Sequence, residues 1–221
     1  VITNGFANVG ITHVARNTAR DKHSFGLSDF FDTIKKNKKQ AFIAGIINAL
    51  VYGLMAANLY FYWFFSKGIM QSIGVGFVMA TFFIFTIMNF YIWTLIITFN
   101  FKLKEVYKNS FKFVFLNIKN NLICFFSLAL VVAVLVALFL LFISILDKFF
   151  VFALLAILLI LALCYPGFKF LLIQYCVFPA IRKYIIDPYY EAHPDADLDK
   201  RRQLGVLDEE EPTEEKQDFN D

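Results

Sequence analysis

Four apolar runs, each long enough to cross a bilayer, alternate along the chain with short segments that hold most of its lysine and arginine. The runs cover about 41–65, 72–99, 122–146 and 149–168, and none contains a charged residue. A hydrocarbon core of about 30 Å needs roughly 20 helical residues. The pattern therefore predicts an all-α, polytopic helical membrane protein with four transmembrane helices. Between the second and third runs lies KLKEVYKNSFKFVFLNIKNN, residues 102–121. On a 3.6-residue wheel Leu103, Val106, Tyr107, Phe111, Val114 and Ile118 share one face, and Lys104, Lys108, Lys112 and Lys119 the other. That is the pattern of a helix at the membrane boundary, where anionic headgroups favour lysine.

Three further segments resemble boundary elements. Phe6 to Arg16 is weakly amphipathic and too short to span. Ser28 is placed as the N-cap of a helix DFFDTIKKNKKQ, with Asp29 and Asp32 in its first turn and four lysines near its end, complementing the helix dipole. The fourth run meets Tyr165-Pro166-Gly167 and then Lys169, so a break is expected there, followed by an interfacial helix over 170–184. Lys169 then lies at the inner interface, snorkelling. The alternative puts it inside the membrane, where an ionisable residue marks a functional site, with Asn89 as a second polar candidate.

The first span carries the clearest packing signal. Ala41, Gly45, Ala49, Gly53 and Ala57 recur every fourth residue, a stripe of small side chains that lets another helix, in this chain or another, approach closely. Tyr60, Tyr62 and Trp63 fit an aromatic belt at its far end, and Tyr91 with Trp93 marks the inner end of the second span.

Charge sets the orientation. Residues 1–186 hold 17 Lys and Arg against 5 Asp and Glu, a balance of +12, while residues 187–221 hold 4 against 13, or −9. The segments 16–39, 102–119 and 182–183 carry 14 of the basic residues, and the links on the other side only Lys67 and Lys148. By the positive-inside rule the first set is cytoplasmic, in a multi-pass protein of the plasma membrane. The expected organisation is an N-terminal cytoplasmic and interfacial segment (1–39), a helical membrane domain (40–186) and an acidic, largely disordered cytoplasmic tail (187–221). The expected partners are an anionic inner leaflet and other membrane subunits or further copies of the chain; the basic residues need no nucleic acid to explain them.

Catalytic chemistry is not evident. His13, His23 and His193 have no metal-ligand spacing, and no nucleophile elbow or phosphate-cradling glycine loop is present. Cys124, Cys164 and Cys176 sit in apolar stretches and resemble small hydrophobes. No catalytic residue, metal site or cofactor is expected, and no enzyme. The side-chain amides in membrane segments are Asn48, Asn58 and Asn89, with Gln174 beyond the fourth run, each a candidate interhelical hydrogen bond. The absence of a carboxylate there removes the usual coupling group of a secondary transporter.

Three stretches carry a family resemblance: NGFANVGITHVARNTARDKHSFGLSDFFDTIKKNKKQAF, TFNFKLKEVYKNSFKFVFLNIKNNL and FPAIRKYIIDPYYEAHP. They resemble the YesL family of Gram-positive bacterial membrane proteins, over most of residues 4–194. The chain departs from that pattern with Asn4-Gly5 where the family commonly shows Gly-Pro. The resemblance implies a further membrane helix upstream, in keeping with a first residue that is not Met. It also implies a non-enzymatic accessory role in ATP-driven carbohydrate import or its regulation; the alternative function is a small channel or carrier. The chain is not a standard permease subunit of such an importer, because Phe111 stands where the coupling loop has glycine.

Overall fold

The computed structural model describes residues 2–20, 26–145 and 148–193, with side chains at all of these but 2, 139, 141–145 and 148–163. The turn at Asp147 and the acidic tail beyond 193 lie outside the described residues. Helices follow one another as α1 (Ile2–Thr18), α2 (Leu27–Phe64), α3 (Ile69–Thr98), α4 (Leu103–Leu116), α5 (Ile118–Ile145) and α6 (Lys148–Ile181). A π-helical segment, Arg182–Ile186, and α7 (Asp187–Ala192) complete the described chain. The described residues contain no strand. Four stretches, Leu27–Phe64, Ile69–Thr98, Ile118–Leu138 and Cys164–Ala192, are long and apolar enough to cross a membrane. This is a multi-pass, all-α membrane protein.

Two of the expected breaks are absent. The basic helix starting at Ser28 and the first span form one 38-residue helix, α2. Its N-cap is Gly26, with a positive φ of 31°, and Ser28 instead bonds Asp32 within the first turn (3.4 Å). Lysine and glutamine are good helix formers, so hydropathy changes at residue 40 while helix propensity does not. Likewise α6 runs through Pro166 and past Lys169 without ending, so 170–184 is no separate helix. Within a membrane helix the neighbours can accommodate the missing N–H.

The expected helix over 102–121 does divide. Lys102 caps α4, its backbone N–H donating to the Glu105 carboxylate at 3.0 Å, and the helix ends at Asn117. Lys119 therefore belongs to α5. The buried side of α4 is Val106, Ser110, Phe113 and Val114, while Phe111 (49% exposed) and Ile118 (56%) face outward. The wheel's inner face is thus rotated, because Asn117 and Asn121 turn inward to form hydrogen bonds that an apolar moment does not register.

Two compact units divide the chain, Val1–Val177 and Phe178–Asp221. In the first, α1 packs along α2 and α3. Contact is closest where Gly5 meets Ala41 and Gly45: a Cβ at Gly45 would lie 3.1 Å from Gly5 Cα, and one at Gly5 would run into the Ala41 carbonyl. The small-residue stripe thus finds its partner inside the chain for Ala41 and Gly45. Ala49 is half-buried, and Gly53 and Ala57 are exposed. Toward the far end Met55, Val78 and Phe85 form an apolar cluster between α2 and α3. In the second unit Arg182 pairs with Asp187 at 3.5 Å, and His193 stacks on Tyr189. Pro188 at the start of α7 cannot donate a backbone hydrogen bond, and the adjoining turn widens to the π form.

Candidate functional site

The basic segments of the first unit meet at one end. Arg16 of α1 donates to Thr98 Oγ1 at the end of α3 (3.0 Å), and Gln40 of α2 to the Phe101 carbonyl (2.9 Å). Lys104, Lys108, Lys112 and Lys119 are all exposed, as are Lys35, Lys36, Lys38 and Lys39 on α2. Beneath this rim lies a buried polar layer. Tyr91 OH donates to Asn121 Oδ1 (2.6 Å) and accepts from Asn117 Nδ2 (3.0 Å). Asn117 also reaches the Cys176 carbonyl on α6 (3.2 Å), and Asn121 Nδ2 caps the Phe113 and Val114 carbonyls. Gln174 of α6 donates to Thr94 of α3 at 2.8 Å. The layer ties α3, α4, α5 and α6 together.

Past this layer the helices diverge around a cavity of about 1110 Å³. It exists because small residues line it: Gly45 and Ala49 from α2, and Ala129, Ala133 and Ala137 at four-residue spacing on α5. Its polar groups are Asn4 and Asn8 of α1, Asn48 and Tyr52 of α2, Thr86, Asn89 and the Trp93 indole of α3, and Tyr165 and Lys169 of α6. The two amides form a pair in which Asn48 Nδ2 donates to Asn89 Oδ1. Asn89 Nδ2 in turn donates to the Phe85 carbonyl (3.0 Å) and Tyr52 OH (3.4 Å). Asn48 is 7% exposed, and its Oδ1 has no donor among the described residues.

Lys169 is seven residues along α6 from Cys176, hence about 10 Å inside the polar layer. Its ammonium stands 5.6 Å from the centre of the Phe170 ring and near Cys124 on α5. Among the described residues no carboxylate lines the cavity. The site therefore combines a cation without a counter-ion, an amide oxygen without a donor and an apolar wall.

Lys169 and Asn89, both singled out by their polarity in apolar runs, thus face one cavity. Asn48 and Gln174 form the interhelical bonds their positions suggest, whereas Asn58 only bonds the Leu54 carbonyl of its own helix. Tyr91, Asn117 and Asn121 carry no such signal: a tyrosine at a belt position and two asparagines beside a lysine resemble surface residues. Gly74 is a packing site, since a Cβ there would strike the Tyr62 ring. The described residues contain no cluster of His, Cys, Asp and Glu suited to a metal.

His13 lies outside this cavity, toward the rim. Arg16 Nη2 faces its Nδ1 at 3.3 Å, and Asn17 Nδ2 stands 3.2 Å from its Nε2, so both ring nitrogens meet donors. Burial, and then the Arg16 guanidinium, hold His13 down at about 4, while burial alone brings Arg16 to about 10. The unfolded ring titrates near 6.5, above the folded value, so this contribution to stability is complete above pH 6.5. It is lost as pH falls toward 4. Melting curves between pH 7 and 4 should show a decline of about 1–2 kcal/mol, less than the full shift because the ring is partly solvent-screened, that His13→Gln largely abolishes. Parallel declines in the two proteins would assign it elsewhere.

Fold and site together define a multi-pass helical membrane protein with a polar-ended cavity in its bundle. No family model, curated protein or solved structure matches the chain.

Proposed function

We propose that this chain is a non-enzymatic membrane binding protein that holds a small, negatively charged molecule in the bundle cavity. Binding of this kind is the step shared by a carrier and by a sensory accessory subunit. One observation supports it most: Lys169 faces a roomy cavity with no acidic partner among the described residues. An ionisable group held in such a place is costly unless its charge is met, and an anionic ligand would meet it. The volume also lies at the upper end of small-molecule sites. With the basic end taken as cytoplasmic, the cavity's polar end lies toward the inner leaflet.

The test is a melting-curve panel on detergent-purified protein with phosphate, oleate, phosphatidic acid, glucose and phosphatidylcholine. At least one anionic member should stabilise the wild type, and Lys169→Gln should lose that response. A panel in which both proteins respond alike to every compound would contradict the reading.

The accessory role in ATP-driven carbohydrate import suggested by the YesL resemblance is a second reading. The exposed lysines of α2 and α4, gathered at one end, favour it as a docking face for another subunit. Affinity purification from native membranes in mild detergent should recover importer subunits with the chain. Recovery of a lone monomer would count against it.

A further inference from the structure

We infer that the cavity's occupant is an anionic lipid drawn from the leaflet at the basic end, its headgroup at Lys169 and its hydrocarbon chain along α5. This rests on the proposed binding role and names the class of ligand. The cavity is chemically two-ended. Its charge and most of its hydrogen-bonding groups come from α1, α2, α3 and α6, whereas the α5 wall offers none. From Phe125 through Ala129, Ala133 and Ala137 to Leu140 that wall extends about 22 Å without a polar side chain. One leaflet contributes about half of a 30 Å core, so the wall is long enough for an acyl chain. A free ion or a sugar would have no use for such a surface and would lose water against it.

Position and charge agree. Lys169 lies about 10 Å along α6 from Cys176, whose carbonyl belongs to the polar layer at the basic end, and its long apolar stem can carry the ammonium toward that end. A phosphate there would supply the missing counter-charge. A headgroup hydroxyl could donate to Asn48 Oδ1, the nearly buried acceptor without a partner. The wall is also partly open: Val132 is 43% and Leu140 60% exposed although both line the cavity. A chain could therefore enter sideways from the bilayer.

Delipidated full-length protein in dodecyl maltoside, titrated with dioleoyl phosphatidic acid and dioleoyl phosphatidylcholine and read by native mass spectrometry, tests this. One phosphatidic acid should bind at least tenfold more tightly than phosphatidylcholine. Lys169→Gln should erase the preference, and Ala133→Trp, which fills the wall, should weaken the same adduct. Lys108→Gln, on the exposed row, should leave it intact. Loss with Lys108→Gln but not Lys169→Gln would move the lipid to the surface and overturn the inference. Stabilisation by sodium phosphate that depends on Lys169, without selective lipid binding, would overturn the lipid and leave the binding role standing. Indifference of Lys169→Gln to lipid and phosphate alike would remove both.

Discussion

Gly5→Val is expected to lower stability by about 3 kcal/mol or more, whereas Gly53→Ala should leave it within about 0.5 kcal/mol of wild type. Both glycines lie in helices, and Gly53 belongs to the small-residue stripe, so helix propensity or a general need for small residues predicts no such contrast. The difference is what each would meet. At Gly5 an added carbon runs into the Ala41 carbonyl, which is backbone and cannot swing aside, so α1 and α2 must separate along their length. At Gly53 nothing lies within 4 Å. Separating α1 from α2 also removes Asn4 and Asn8 from the cavity wall, so the variant should lose ligand response along with stability. Thermal unfolding in detergent reads both; equal losses at the two positions would mean that α1 does not dock as described.

Asn121→Leu should cost roughly 3 kcal/mol, a large effect for a nearly volume-conserving change. The last carbonyls of a helix lack an intrahelical donor, and Asn121 serves the one at Val114, and also the one at Phe113 beside the Asn117 N–H, from four residues past the break. It also accepts the Tyr91 hydroxyl proton, and Tyr91 stacks on Phe113 with ring centres 4.9 Å apart. Leucine fills the space but removes the donor to the Val114 carbonyl and the acceptor of the Tyr91 hydroxyl where water is excluded, leaving Phe113 with the Asn117 N–H. Asn121→Asp keeps an acceptor for Tyr91 but sets an oxygen against the two carbonyls in a fully buried site, and should cost at least as much. If Asn121→Leu melted with the wild type, the polar layer would not be what joins α4 to α5.

Much of this fold is written in the hydropathy alone. Charge-free runs of 20 residues or more leave few options in a chain of this composition, and all four appear as helices. What hydropathy could not convey was continuity. At residue 40 the chain leaves the lipid but not the helix, because its lysines are as helix-compatible as the alanines that follow. At Pro166 a residue that ends helices in water does not end α6. The face of α4 was legible only in part: its lysines point outward, yet Phe111 pairs with Phe115 on the exposed side while Ser110 is fully buried. Two asparagines beyond the helix set that rotation, and a wheel confined to α4 does not contain them.

The candidate site divides along the same line. Lys169 and Asn89 stand out because polar groups in apolar runs are costly, and that cost is visible residue by residue. Their meeting with Asn48 and Tyr52 depends on how helices far apart in sequence pack. The cavity itself is a consequence of residues too small to fill it, which no single position announces. Ala129, Ala133 and Ala137 resemble ordinary membrane-helix residues until the opposite wall is known.

Lipid capture from the inner leaflet and docking at the basic rim both require the four helices to cross the bilayer with that rim inward. Single cysteines placed at Lys67 and Lys108 in a cysteine-free background, treated in intact cells with a membrane-impermeant thiol reagent, test this most directly. Labelling at 67 and none at 108 until the cells are opened is the predicted result. Labelling at 108 in intact cells, with 67 protected, would contradict it.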